Sequence, residues 1–408
     1  MNIVLFTSGS AGDILPFVRV GAALAARDHR VTLISHARYD RLAADAGMAY
    51  RPFDTDAEYG EYLRHASLLN TPGGITRFLQ EHSLPRAPAA LEQLNAVLDG
   101  DSLLLTSPTF DAAARIAAEI HGLDPLWLFI APVQVSEWPR RRAVRSAMFS
   151  RVLGGAIEDV RKTAGLSPIG DWDAWLAYSS RSLGQWPDWF ATPEEAGSPD
   201  EAWLPGVEPI GFLIDHPAER SALPGSVAGF IAAEAARGSP PPLLVTGGTG
   251  RYLGETFYAN ALAAARQLDL AAIVVTRDQD CLPGERPDRC LVLDHLPFGV
   301  VMPHCSTVIH HGGLGTTGAA AAAGVPQLIL AFGADRPDNG ARVERCGIGA
   351  SIALPQCTVG AVVEALQQLT TSESLRGRCA EASSKILARD SASAAAEAAE
   401  AFHGERCK

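Results

Sequence analysis

Short apolar runs alternate with glycine-rich turns and helix-length stretches along most of the chain. Asn2-Ile3-Val4-Leu5-Phe6 opens the series, Ser8 to Asp13 is turn-rich, Pro16 to Arg27 has helical spacing, and Val31-Thr32-Leu33-Ile34 is the next run. A run, a turn, a helix and another run make a strand–helix–strand unit, and a crossover of helix length leaves its two strands parallel. The alternation recurs at Leu103-Leu104-Leu105, Ala112 to His121 and Leu126 to Ile130. Between Leu204 and Pro224 it is broken by Pro205, Pro209, Pro217 and Pro224, which places the domain junction there and predicts domains at 1–214 and 215–408. After Pro240-Pro241-Pro242 a second series starts: Leu243-Leu244-Val245, a glycine turn, a helix from Glu255 to Gln267, then runs at 272–276, 290–293, 307–310 and 327–330. Ser391 to Phe402, rich in Ala and Glu, predicts a closing helix, assigned to the second domain. The fold class expected is α/β, with two Rossmann-like domains on parallel sheets.

Composition agrees with two cores. The 408 residues exceed one ordinary core, and 47% hydrophobic with 20% charged residues suits a globular chain. A net charge of -12 disfavours nucleic acid. The local exception, Arg140, Arg141, Arg142 and Arg145, reads as a solvated face or as a contact for an anionic surface. Seven cysteines without C-x-x-C spacing suggest reduced thiols in a cytoplasmic protein. The first residues lack the pattern of a signal peptide, and no apolar run is long enough for a transmembrane span.

The segment His310 to Gly318 carries the clearest chemistry. It follows an apolar run and opens an Ala-rich helix from about Thr316 to Ala323. Exposed N–H groups and the helix dipole at such a place favour a diphosphate, glycines admit close approach, Thr316 and Thr317 offer hydroxyls, and His311 offers a further donor or a positive charge. The competing reading is a glycine turn that merely packs a strand tightly against a helix. Asp278-Gln279-Asp280 and Asp171-Trp172-Asp173 have the letters of a metal-binding D-x-D pair, but they sit in turn-rich surroundings, so no metal is expected.

With Gly324-Val325-Pro326-Gln327 and Gly333 to Asn339 downstream, the chain resembles the family 1 nucleoside-diphosphate-sugar glycosyltransferases. The resemblance is strongest at 295–349 and 9–17, and within the family it leans toward the bacterial natural-product and rhamnosyltransferase-like branch through Gly9 to Phe17, Trp189-Phe190 and Asp338-Asn339. It implies the GT-B fold of two facing domains, with the acceptor bound by the N-terminal domain and the donor mainly by the C-terminal one. It also implies that His311, Gly313, Gly315, Thr316 and Thr317 hold the diphosphate, that Thr246, Gly248 and Thr249 face it, and that His295 and Leu296 lie against the base. Gly12 joins this donor set, and Asp335 and Arg336 stand where the family reads sugar hydroxyls, with Arg336 also able to pair with Asp335 or Asp338. The glutamate that binds ribose in plant relatives is matched by Ala319, which suits a dTDP-sugar, although UDP users also lack it. Asp13 falls where the family places its catalytic base, and otherwise reads as a cap for a helix starting near Pro16. Asp111 is a second candidate with the same alternative.

The function implied is inverting, metal-independent transfer from a dTDP- or UDP-sugar to a hydroxyl of a hydrophobic small-molecule or lipid-like acceptor. The sugar nucleotide is a co-substrate and no cofactor is expected. Trp127, Trp138, Trp172, Trp175, Trp186 and Trp189, with Phe129, Met148 and Phe149, are expected mostly in the core, with a few lining the acceptor side. A sugar-nucleotide 2-epimerase and a non-catalytic nucleotide-sugar-binding protein are the other readings of the same architecture.

Overall fold

The computed structural model describes residues 1–71, 73–108, 112–136, 138–191, 203–214, 222–248 and 254–406. The chain divides into two compact units, one comprising Met1–Leu213 with Ser391–Lys408 and the other Ile214–Asp390.

The first unit is built on β1 (Asn2–Phe6), β2 (Arg30–Ser35), β3 (Ala49–Pro52), β4 (Leu103–Thr106), β5 (Leu126–Phe129), β6 (Ser182–Gly184) and β7 (Val207–Pro209). They pair in the order β3-β2-β1-β4-β5-β6-β7, all parallel. In β1, Ile3 and Leu5 enter one core beside Val20, Leu24 and Leu103, whereas Val4 and Phe6 enter the other beside Ile34, Leu104 and Ile116. A strand covered on both faces must be apolar throughout, which is why its sequence shows a run and not an alternation.

Two expectations are corrected in this unit. The closing helix, Ser391–Arg406, belongs to the first unit and not to a domain running from 215 to 408. Its Ala395, Ala396, Ala399 and Phe402 share a core with Val20 and Leu24, and the small alanines allow the helices a close approach. Glu400 adds a forked ion pair to Arg27, at 2.9 and 2.7 Å, and accepts from His29 at 2.7 Å. These partners, Arg27 foremost, hold the Glu400 carboxyl down at about 2.

The first helix spans Ala11–Ala25 and so begins well before Pro16. Proline inside a helix forfeits one N–H bond, here to the carbonyl of Gly12, and is ordinarily read as a start signal. The turn ahead of it is secured instead by a capping box, with Ser10 at the cap and Asp13 three residues on.

The second unit carries β8 (Leu243–Thr246), β9 (Ala272–Val275), β10 (Cys290–Leu293), β11 (Thr307–His310), β12 (Gln327–Ala331) and β13 (Gly349–Ala353). The order is β10-β9-β8-β11-β12-β13, again parallel. In each sheet the strand order reverses beside the unit's first strand, between β1 and β4 and between β8 and β11. Loops leaving such neighbours part toward opposite faces and open a crevice at the carboxyl ends of the strands, where ligands of doubly wound folds bind. Among the described residues no helix is long and apolar enough to cross a membrane.

Candidate active site

At the switch point of the second unit, Thr246 of β8 pairs with His310 of β11, so the turns that follow leave the sheet side by side. His310 is fully buried: the Gly312 N–H donates to its Nδ1 at 3.1 Å, which leaves Nε2–H to donate to Gln327 Oε1 at 3.0 Å. Burial lowers its pKa to about 4, so this imidazole is a neutral fixture of the turn. His311 points the other way. A Cβ on Gly248 would lie 2.5 Å from His311 Cε1, and one on Gly313 would lie 2.5 Å from its Nε2, so the ring fits between two glycines. Gly248 also has φ +76°, which glycine adopts without strain.

Burial first, then the nearby Arg336 and His310, push the His311 pKa well down, with the Thr246 backbone working in the opposite direction. The imidazole is therefore neutral near pH 7, which removes the positive charge from the two alternatives the sequence offered and leaves the donor. Its Nδ1 is buried without a hydrogen-bond partner among the described residues.

The helix after the turn spans Leu314–Ala322, with Gly313 as its cap. Gly315 is exposed, and a Cβ there would meet nothing within 4 Å. Ala319, one turn on, is half-buried against the core that holds Leu296 and Val301, whereas Gly315 and Thr316 in the first turn reach solvent. Thr317 does not: it is fully buried and its hydroxyl donates to the Gly313 carbonyl at 3.1 Å, so it braces the turn and does not offer that proton to a ligand. Thr246 is likewise buried, its hydroxyl accepting from the Gly248 N–H at 3.3 Å. His295 is exposed at the end of β10 and the Leu296 side chain is in the core. Thr249 lies outside the described residues.

Beyond β12, Gly333 and Ala334 have φ of +65° and +50°. A left-handed alanine costs about 1 kcal/mol, and the turn it makes sets Asp335 at the start of the helix Arg336–Arg345. Asn339 Nδ2 donates both to the Gly312 carbonyl at 2.9 Å and to Asp335 Oδ2 at 2.8 Å, tying this turn to the 311–317 loop. Burial raises the Asp335 pKa against the opposing charge of Arg336. Arg336 Nη1 donates to the Phe332 carbonyl at 2.6 Å, whereas Asp338 is engaged by Arg342 at 2.8 Å.

At the switch point of the first unit, Asp13 Oδ2 accepts from the Ser10 N–H at 2.8 Å and from the Ser10 hydroxyl at 3.0 Å. A Cβ on Gly9 would fall 2.4 Å from this carboxyl, so glycine is what lets Asp13 fold back, and the Tyr59 hydroxyl holds the Gly9 carbonyl at 3.1 Å. Asp13 is thus a capping-box residue and remains partly exposed, with Gly12 exposed beside it. Asp111 lies outside the described residues.

A second constellation lies in this unit, outside the residues that the sequence singles out. Ser8 follows β1, His36 follows β2 and Asp54 follows β3, three adjacent strands. His36 is fully buried; its Nδ1–H donates to Asp54 Oδ2 at 2.6 Å and its Nε2 lies 2.9 Å from Ser8 Oγ. Its ring stacks on Tyr59, centroids 4.5 Å apart. Burial pushes the His36 pKa down, against the pull of Asp54. Ser8 and Arg86 lie on the wall of a small pocket, otherwise mostly apolar, with Phe6, Phe53, Phe149 and Leu153 in its lining. Of the aromatic residues expected on the acceptor side, Phe149 reaches this cavity; Trp127 and Trp186 are core. Asp171 of the D-x-D look-alike is spent on a helix cap, accepting from the Asp173 and Ala174 N–H groups at 2.9 and 3.1 Å.

Two doubly wound parallel sheets, one of them ending in a glycine cradle at a helix N-terminus, define a two-domain α/β protein of the GT-B class. Residues 3–99 match the glycosyltransferase family 28 N-terminal domain, and residues 259–402 match the C-terminal domain of proteins like erythromycin biosynthesis protein CIII. The chain is 27% identical over 395 residues to O-mycaminosyltylonolide 6-deoxyallosyltransferase of Streptomyces fradiae, covering 86% of this chain and 85% of that one. Solved structures with the same fold include the calicheamicin glycosyltransferase CalG4, at TM-score 0.70 and 20% identity over 100% of both chains. Another is glycosyltransferase VinC in complex with dTDP, at TM-score 0.69 and 18% identity over 100% of both chains. The chain therefore belongs to the GT-B glycosyltransferases, with a family 28 N-terminal domain and an erythromycin CIII-like C-terminal domain, in the branch of the natural-product enzymes.

Proposed function

We propose that the enzyme transfers a deoxyhexose or hexose from a dTDP- or UDP-sugar to a hydroxyl of a hydrophobic small molecule, with inversion and without a metal ion. The observation that carries this reading is the cradle at the second switch point, where the His311 ring lies between Gly248 and Gly313 and Gly315 leaves the helix N-terminus open. In the step proposed, the acceptor oxygen bonds to the anomeric carbon while the bond from that carbon to the diphosphate breaks. The electron pair leaves with the diphosphate, onto the 311–317 loop, and the acceptor proton goes to Asp13. A single displacement inverts configuration, and preorganised donors stabilise the leaving charge where it develops. Gly12, His295, Thr249 and Asp335 are assigned to donor binding with them, Arg336 and Asn339 holding the Asp335 turn in place, and Asp111 is kept as a second candidate for the base.

Donor identity is inferred from Ala319. Half-buried one turn into the cradle helix, it offers a ribose hydroxyl no hydrogen-bond acceptor, which suits a deoxyribonucleotide. The dTDP complex of VinC supports the same choice, and the deoxysugar named for the Streptomyces fradiae relative supports a deoxyhexose as the group transferred. The apolar cavity lined by Phe149 and Leu153 is proposed to hold the body of the acceptor. Calorimetry with dTDP and UDP, followed by mass spectrometry of paired dTDP- and UDP-sugars against phenolic, macrolide and hydroxyacyl acceptors, tests the reading. A glycosylated product with dTDP bound at least as tightly as UDP is expected. A large UDP preference would refute the role of Ala319, and nucleotide binding without any product would point to a binding protein.

A further inference from the structure

The hydrogen bonds around His36 decide what Ser8 can offer to a ligand. Asp54 Oδ1 accepts from the Ala37 N–H at 2.8 Å, and Oδ2 accepts from His36 Nδ1–H at 2.6 Å, so both carboxylate oxygens are engaged by donors. Arg86 Nε lies 4.0 Å from Asp54 Oδ2, so this buried carboxylate keeps a counter-charge. A neutral imidazole that donates through Nδ1 can only accept through Nε2. The hydroxyl of Ser8, 2.9 Å away, must therefore donate to His36. With its proton committed, Ser8 has only lone pairs left. It stands on the wall of an otherwise mostly apolar cavity, beside Phe6 and Phe53.

We propose that Ser8, held by His36 and Asp54, is a specificity-determining residue of the acceptor pocket that selects a molecule carrying a hydrogen-bond donor, a hydroxyl or N–H, on its apolar body. This rests on the assignment of the cavity to the acceptor and adds to it the polarity of the recognised group. Ether and carbonyl oxygens at that point face lone pairs with lone pairs, and an unmet polar group in an apolar pocket weighs against binding more than a made bond favours it. Asp54 and His36 act through Ser8, as positioning residues. The chain also makes the preference reversible by one atom. In Asp54→Asn the Ala37 N–H continues to need an acceptor and keeps the amide oxygen, which leaves the NH₂ group facing His36 Nδ1. The imidazole must then accept through Nδ1 and donate through Nε2, and the hydroxyl of Ser8 is released to donate into the cavity.

The test uses the full chain and two probes of nearly equal shape, 2-naphthol and 2-methoxynaphthalene, with affinities read by ligand-observed NMR or calorimetry. Wild type should bind the naphthol about tenfold more tightly than the methyl ether, one hydrogen bond's worth. Ser8→Ala should erase the difference, with undiminished dTDP binding as its fold control, and Asp54→Asn should lose it or reverse it in favour of the ether. Equal affinities in wild type, a preference that survives Ser8→Ala, or an Asp54→Asn protein with the wild-type preference would each overturn the proposal. Glycosyl transfer to 2-naphthol is scored separately: a Ser8-dependent preference without product faults the assigned reaction and leaves this site standing, and product without Ser8 dependence does the reverse.

Discussion

Replacing Gly315 by alanine should separate the stability of the second unit from its binding. A Cβ at this position meets nothing within 4 Å, and its backbone is helical, in the first turn of Leu314–Ala322. Alanine is favoured over glycine there by about 0.5–1 kcal/mol, because the unfolded chain has less freedom to lose. For a unit of this size that is a rise in Tm of about 1–3 °C without ligand. The same methyl group enters the space assigned to the diphosphate. Displacing it, or lengthening two N–H contacts, should weaken dTDP about tenfold or more, 1.4 kcal/mol. Calorimetric titration and scanning calorimetry on one preparation give both numbers. Gly313→Ala is the contrast: its φ of -64° suits alanine, but the Cβ falls 2.5 Å from His311 Nε2, so stability and binding should fall together. An undiminished dTDP affinity in Gly315→Ala would refute the placement of the diphosphate at this helix terminus.

Asp13→Asn should keep donor affinity and most of its capping bonds to Ser10, yet lower turnover by about 10²-fold if Asp13 takes the acceptor proton, whereas Asp13→Ala should also cost about 1 kcal/mol of stability; a fully active Asp13→Asn enzyme ends that role. His310 has a folded pKa of about 4, below its unfolded value, so its contribution is complete above about pH 6.5 and is lost as pH falls from there toward 4. Urea midpoints for the second unit should show about 2 kcal/mol of such loss by pH 5, absent in His310→Gln; identical pH slopes in the two proteins would contradict it. Turnover should survive dialysis against EDTA, and loss restored by magnesium or manganese would reopen the metal question.

The two parallel sheets were legible in the sequence because each central strand is buried on both faces and announces itself as an unbroken apolar run. β6 and β7 were not, being three residues each, nor was β3, a half-exposed edge strand carrying Arg51 and Pro52, nor β13, whose small residues Gly349-Ala350-Ser351 carry little hydrophobic signal. Pro16 misplaced the start of the first helix, since the residues that secure the turn ahead of it, Ser10 and Asp13, read equally as loop. In the candidate site, glycine spacing marked the turn around His311, but not which of two adjacent histidines is structural; that follows from strand alternation at His310 and the partner Gln327. Ser8, His36 and Asp54 are 28 and 18 residues apart, and only the strand order β3-β2-β1 brings them together. A polar residue one or two positions beyond each of three neighbouring parallel strands is the signal that was there to be found.

The return of Ser391–Arg406 to the first unit sets an order on synthesis. When the ribosome has made residue 390, everything in Ile214–Asp390 is available to fold, but one face of the first sheet still lacks the alanines and Phe402 that cover it. The unit whose strands are made first is therefore completed after the second, and the face that Val20 and Leu24 share with Ala395 and Phe402 closes only once Ser391–Arg406 has emerged. A stop codon before 391 thus acts on the N-terminal unit although it lies beyond the whole of the second one.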